Sequence, residues 1–167
     1  MRKLFFLSAM SLLFVFVGCG EKKEEKKEEG FQVSRTKKEE KKEVDENVIA
    51  LSSNDLMQFD KSELKVTAGK KVTLTLRHTG KMDKMVMGHN FVLLAAGTDL
   101  ADFAATAAVA RETEYIPESD AILAYTKLIG GGESTSITFD APAAGTYDYL
   151  CSFPGHYGVM QGKLIVE

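Results

Sequence analysis

Apolar and polar residues alternate in several short segments of this chain, mostly in its second half. In KVTLTLRH, residues 71–78, Val72, Leu74 and Leu76 fall on one face, while the threonines and the arginine fall on the other. The same period of two occurs in STSITFD (134–140) and TYDYLC (146–151), and shorter apolar runs occur in LKVTAG (64–69), NFVLLA (90–95) and KLIVE (163–167). Gly, Asp and Asn separate these runs, so the pattern predicts strands joined by turns.

One segment breaks the alternation. Residues 98–116, TDLADFAATAAVARETEYI, are rich in alanine and begin with Thr98 and Asp99, two candidate helix caps. Several strands with a single helical insertion predict an all-β fold, a Greek-key β-sandwich.

The N-terminal residues have a different character. Basic residues at 2 and 3 precede an apolar run at 4–17, which is typical of an export signal covering residues 1–18. FVGC, residues 16–19, resembles a bacterial lipobox, although Phe16 replaces the usual leucine. That resemblance implies a lipid on Cys19 that holds the protein at a membrane. The alternative is ordinary secretion with an incidental cysteine.

Residues 20–46 are mostly Lys and Glu, with like charges spaced four apart. On a helix this spacing is unfavourable, so we expect a flexible tether spanning about 30 Å between the lipidated Cys19 and a domain at 47–167. That domain carries 10 basic and 14 acidic residues, a net charge of −4. The balance gives no support to nucleic-acid binding.

The segment CSFPGHYGVM, residues 151–160, places a thiol, an imidazole and a thioether close together at Cys151, His156 and Met160. Thiolate and imidazole select borderline-soft metals, and an added thioether shifts the preference towards copper, whereas zinc more often takes four Cys or His ligands. A second imidazole must come from elsewhere. His89 is the candidate, because the preceding Gly88 allows a close backbone approach and offers its carbonyl as a weak ligand.

These motifs resemble those of the azurins, the bacterial blue-copper proteins of the cupredoxin family. The similarity covers nearly all of 47–167, and the helical insertion lies where azurins have a helical flap. It implies a cupredoxin-like fold and one type 1 copper, held by His89, Cys151 and His156 with Met160 and the Gly88 carbonyl as weak axial ligands. Such sites carry single electrons, so the resemblance implies an electron carrier and not an enzyme. The matching segments are SNDLMQF (53–59), VMGHNF (86–91), AYTKLIG (124–130), SITFD (136–140) and CSFPGH (151–156).

The resemblance also implies roles for residues beside the ligands. Asn90 and Ser152 would brace the ligand loops, and the backbone amides of Asn90 and Phe153 would donate to the Cys151 sulfur. His78 matches an azurin histidine that lies near copper without binding it. The azurin disulfide is missing, because neither cysteine of this chain lies at its positions.

The sequence predicts a membrane-tethered electron carrier in the bacterial cell envelope, facing the periplasm or the exterior. Its expected partners are c-type cytochromes or a copper-containing reductase or oxidase. A copper-delivery or copper-buffering lipoprotein, with methionines as Cu(I) donors, is the alternative. A nitrite reductase domain is disfavoured, because three histidines leave none for a catalytic copper. Partners would dock on an apolar patch around His156, formed by Met57, Met82, Met87, Phe153, Pro154 and Gly155.

Overall fold

The computed structural model describes residues 47–167. The predicted signal peptide (1–18), the lipid on Cys19 and the charged tether (19–46) lie outside these residues and stay predictions. Within 47–167, no helix has both the length and the apolar character needed to cross a membrane.

Nine strands and two α-helices make up the described domain. In chain order the elements are β1 (Val48–Asn54), β2 (Gln58–Phe59), β3 (Glu63–Val66), β4 (Lys71–His78), α1 (Lys84–Met87), β5 (Val92–Leu94), α2 (Leu100–Val109), β6 (Ile122–Tyr125), β7 (Ser134–Asp140), β8 (Gly145–Leu150) and β9 (Gln161–Val166). The strands pair into a four-stranded sheet, in the order β2-β1-β4-β7, and a five-stranded sheet, in the order β3-β9-β8-β5-β6. The β1–β4 and β3–β9 pairs are parallel, and the others are antiparallel.

The alternation seen in the sequence produces the core between the two sheets. Val72, Leu74 and Leu76 of β4 are fully buried, and they pack with Tyr149 of β8 and Leu164 of β9 in one cluster. Strands β4 and β7 have the bounds that their alternation predicts. The two-sheet architecture agrees with the predicted all-β sandwich.

The predicted helical insertion is present as α2. The Asp99 carboxylate accepts hydrogen bonds from the backbone N–H groups of Ala101 and Asp102 and so caps the helix. Thr98 does not cap it, because its hydroxyl donates to the Ala95 carbonyl instead. Phe103 and Ala107 of α2 pack against Val92, Leu94 and Leu150. The four-residue helix α1 was not predicted from the sequence, because it is too short to show a helical period.

The strands bring the candidate ligands to one end of the sandwich. β1 and β4 run parallel and end at Asn54 and His78. In the other sheet, β8 ends just before Cys151, where the antiparallel β5 and β9 begin. A hydrogen bond from His89 Nε2 to the Asn54 carbonyl joins the segment before β5 to the end of β1, and so links the two sheets.

Candidate metal centre

Three donor side chains converge at this end of the domain. Cys151 Sγ lies 3.8 Å from His89 Nδ1 and 3.7 Å from His156 Nδ1. The three donor atoms all lie within 4.8 Å of one another. Cys151 and His89 are fully buried and His156 is 4% exposed, so the pocket between them is sheltered from solvent.

Hydrogen bonds orient the two imidazoles that lie deepest in this region. His89 Nε2 donates to the Asn54 carbonyl at 2.8 Å, which leaves Nδ1 with a free lone pair on the side of Cys151. The His78 ring stacks on His89 at a centroid distance of 4.5 Å. His78 Nδ1 accepts from the Gly80 N–H, so its Nε2 donates to the Met87 carbonyl. Both nitrogens of His78 are therefore engaged by backbone, and its ring supports the ligand without facing Cys151.

Backbone hydrogen bonds close the loop from 151 to 160. The His156 N–H donates to the Phe153 carbonyl, and the Met160 N–H donates to the His156 carbonyl. The Cys151 N–H donates to the Met160 carbonyl at 2.9 Å, so the loop returns to its starting point. Gly155 supplies the positive φ of 83° that this tight turn requires. Met160 is fully buried beside Cys151 at the base of the loop.

Asn90 and Ser152 tie the two ligand segments together. The Asn90 side chain donates to Ser152 Oγ at 2.8 Å and accepts from the Ser152 N–H at 2.9 Å. Both residues are buried, and each immediately follows a candidate ligand in the chain. The backbone N–H groups of Asn90 and Phe153 donate to the Cys151 sulfur. These contacts hold the sulfur and the His89 loop in a fixed relation.

Gly88 allows the backbone before His89 to approach the centre. A side chain at this position would overlap the Lys84 carbonyl oxygen and the Leu128 side chain, so only glycine fits. The Gly88 carbonyl oxygen lies 3.9 Å from Cys151 Sγ. The carbonyl therefore lies near the sulfur, and its role as a weak axial ligand stays a prediction.

The segment after α2 braces the centre in a way that the sequence analysis missed. Glu114 accepts hydrogen bonds from Lys84 Nζ at 2.7 Å and from the Leu128 N–H at 3.3 Å. The next carbonyl, that of Tyr115, accepts from the Ser152 hydroxyl at 2.7 Å. Glu114 and Tyr115 both adopt positive φ, at 53° and 66°, which non-glycine residues rarely do. No sequence pattern marks such a pair.

Burial sets the protonation of the donors. It lowers the pKa of His89 to about 4 and that of His156 to about 4, so both imidazoles are neutral at pH 7. Burial raises the pKa of the Cys151 thiol to about 11, against the opposing hydrogen bonds from Asn90 and Phe153. The pocket therefore offers two imidazole lone pairs and a thiol whose proton a metal cation would displace.

The sequence-predicted docking patch has mixed exposure. Pro154 and Gly155 are exposed and Met82 is 38% exposed, whereas Met57, Met87 and Phe153 are half-buried. The Phe153 ring lies 4.6 Å from the His156 ring and 5.1 Å from the Tyr115 ring. Further exposed apolar residues lie on the same segments and were not assigned to the patch from the sequence: Leu56, Met85, Val86 and Val159.

A buried thiol and two neutral imidazoles, with a buried thioether and a carbonyl beside them, form the donor set that copper takes in type 1 sites. His89, Cys151, His156 and Met160 fit a single site of this kind. The other histidine, His78, is fully occupied by backbone hydrogen bonds.

Comparisons with known proteins agree with this donor set. The profile described as "Copper binding proteins, plastocyanin/azurin family" matches residues 45–167. Azurin-1 of Alcaligenes xylosoxydans xylosoxydans is 45% identical over 125 residues, covering 70% of this chain and 94% of that protein. Outer membrane protein H.8 of Neisseria gonorrhoeae is 43% identical, covering 68% of this chain and 64% of that protein.

A solved structure is also similar. Auracyanin A, described as a "blue" copper protein from Chloroflexus aurantiacus, superposes with a TM-score of 0.66 at 36% identity. The superposition covers 72% of this chain and 98% of auracyanin A. These findings confirm the predicted cupredoxin-like fold and the copper cofactor, and the chain belongs to the plastocyanin/azurin family of copper-binding proteins.

Proposed function

We propose that this protein is an electron carrier tethered to a membrane through Cys19. The observation that carries the proposal is the convergence of the three donor atoms, which lie within 4.8 Å of one another. Hydrogen bonds hold the segments that carry these donors, so the centre needs little rearrangement when its charge changes. Copper, when bound, supplies a single-electron couple between Cu(II) and Cu(I).

The protein's own residues supply rigidity and exclude water. The Asn54 carbonyl fixes the His89 ring, and the Asn90–Ser152 pair holds the Cys151 loop. Two N–H groups donate to the Cys151 sulfur and lower its electron-donating strength, which tunes the potential of the centre. With all donors buried, the site has no open position for a substrate, and the proposal therefore includes no bond chemistry.

We place the electron port at His156. Its Nδ1 faces the centre, and the loop around the ring presents the exposed Pro154 and Gly155 to solvent. Behind the centre, Cys151 continues directly into β8 and provides a covalent path into the sheet. Redox partners, such as c-type cytochromes or a copper-containing reductase or oxidase, would dock on the apolar surface around this loop.

The bacterial cell envelope is the proposed location. The lipobox-like FVGC supports it, as does the similarity to a protein named for the outer membrane. Lipid attachment at Cys19 and a flexible tether would keep the domain at the membrane surface facing the periplasm or the exterior.

The two cysteines allow a matched test. Cys151→Ser should abolish the intense blue thiolate-to-copper band while the protein still fractionates with membranes. Cys19→Ser should keep the blue band and release the protein from membranes. A blue band that persists without Cys151 would refute the copper site, and membrane association that persists without Cys19 would refute the tether.

Buried ligands favour an electron carrier over a copper-delivery protein. A delivery protein needs copper that exchanges readily, whereas His89 and Cys151 are fully buried and His156 is nearly so. We expect a strong Cu(I) chelator to remove copper from the centre over hours. Complete removal within seconds would favour delivery.

A further inference from the structure

Two methionine side chains are exposed at the end of the domain that carries the centre. Met85 is 72% exposed and Met82 is 38% exposed, and Met57 is half-buried on a neighbouring turn. Met160, by contrast, is fully buried. Exposed large apolar side chains grouped in one region commonly mark a binding surface.

Hydrogen bonds hold the segments that carry these methionines against each other. The Asp55 carboxylate accepts from the Lys81 N–H at 2.8 Å and from the Met82 N–H at 3.2 Å. This contact fixes the turn containing Met57 beside the start of the 82–87 segment. The Asp83 carboxylate accepts from the Met85 N–H at 2.8 Å and begins α1.

The type of side chain points to a soft metal. Leucine would give the same apolar surface with better-defined rotamers, whereas methionine adds a polarisable sulfur. Thioethers select Cu(I) among the biologically available metals. The nearby carboxylates of Asp55 and Asp83 add negative charge, which the exposed Lys81 offsets in part, and the Lys84 ammonium is paired with Glu114.

We propose that Met57, Met82 and Met85 form a second, surface site for monovalent copper. The site lies on the segment that leads through α1 directly to Gly88 and His89, so it would collect Cu(I) next to the buried centre. It is distinct from the buried donor set and does not depend on electron transfer by the protein.

Leucine substitutions separate this site from an apolar docking surface. Met→Leu keeps the volume and the hydrophobicity but removes the sulfur. The double variant Met82→Leu/Met85→Leu should therefore keep any partner docking and lose the copper site. Val86→Leu is the matched control, because Val86 is 57% exposed on the same helix and has no sulfur.

The test is an anaerobic Cu(I) titration of the full mature protein against a chromophoric Cu(I) chelator. We expect two equivalents to bind to the native protein and to Val86→Leu. The second equivalent should bind at least tenfold more weakly to the double variant, and more weakly again when Met57→Leu is added. A single equivalent in the native protein, or unchanged binding in the leucine variants, would overturn the proposal.

Silver(I) provides a second readout on protein whose buried centre is already filled with copper. In protein labelled with methyl-¹³C methionine, Ag(I) should shift the methyl resonances of Met57, Met82 and Met85 but not that of Met160. Shifts spread over all methionines, or none, would contradict a defined surface site. The blue band of the Cu(II) form is recorded on every variant, so loss of the buried centre is detected separately from loss of the surface site.

Discussion

Removal of the Glu114 carboxylate is expected to loosen the brace between the helical insertion and the copper end. This group accepts from Lys84 and from the buried Leu128 N–H. A hydrogen bond to a charged group contributes about 1.5–3 kcal/mol, at the lower end for the 3.3 Å bond, and a half-exposed ion pair adds about 0.2–1 kcal/mol. We therefore expect Glu114→Ala to lower the free energy of unfolding by about 2 kcal/mol.

The backbone conformation of Glu114 predicts which of its variants is the most stable. At φ 53°, a residue with a Cβ atom is strained by about 1–2 kcal/mol, and glycine is not. Glu114→Gly removes the same carboxylate but relieves this strain, so it should cost only about 1 kcal/mol. Glu114→Gln keeps an acceptor for Leu128 and should also cost less than the alanine variant.

Urea unfolding of the copper-free protein measures these differences. Glu112→Ala is the control, because it removes an exposed acidic side chain two residues earlier and should change stability by less than about 0.5 kcal/mol. The reasoning fails if the glycine variant is less stable than the alanine variant. It also fails if the control is destabilised as much as Glu114→Ala.

Other predictions follow from burial at the centre and in the core. Unfolded histidines have a pKa near 6.5 and the native His89 and His156 have a pKa of about 4, so the unfolded state binds more protons below pH 6.5. The free energy of unfolding of the copper-free protein should therefore fall by about 2 kcal/mol per histidine from pH 7 to pH 5. A urea midpoint that does not change with pH would contradict this. Loading of Cu(II) at pH 7 should release about one proton, from Cys151, because both imidazoles are already neutral. Calorimetry in buffers of different ionisation enthalpy measures the number of protons released. Release of no proton, or of three, would be inconsistent with these pKa values. Gly162→Ala should cost about 1–3 kcal/mol in urea unfolding, because its methyl group would overlap both the hydroxyl of the buried Tyr149 and the Ser62 carbonyl oxygen. An unchanged midpoint would contradict this.

The sequence was most informative about strands whose apolar residues alternate regularly and about sites defined by the chemistry of single side chains. The alternation in 71–78 and 134–140 predicts β4 and β7 with the correct bounds, because each strand buries one face. The donors were found for a similar reason, since thiol, imidazole and thioether chemistry is specific even without coordinates. Strand β2, with two residues, and helix α1, with four, are too short to show any period.

Long-range contacts explain the rest of what was missed. The positive φ at Glu114 and Tyr115 is stabilised by contacts with Lys84, Leu128 and Ser152, which are 14 to 37 residues away in the chain. Local preference argues against that conformation for non-glycine residues, so only the folded contacts reveal it. The exposure of Met85 is likewise decided by how α1 is held against its neighbours and not by its own hydrophobicity.

The direction in which β1 enters the sandwich has a mechanical consequence. The chain before residue 48 joins β1 at the end opposite Asn54, the residue that holds His89, and six residue pairs in parallel register connect β1 to β4. A pull on the N-terminal side would act along β1 and load these hydrogen bonds in shear, so they would have to break together instead of one after another. Strand β1 is about 20 Å long, and an attachment at its beginning would leave the ligand-bearing end the farthest from the point of load.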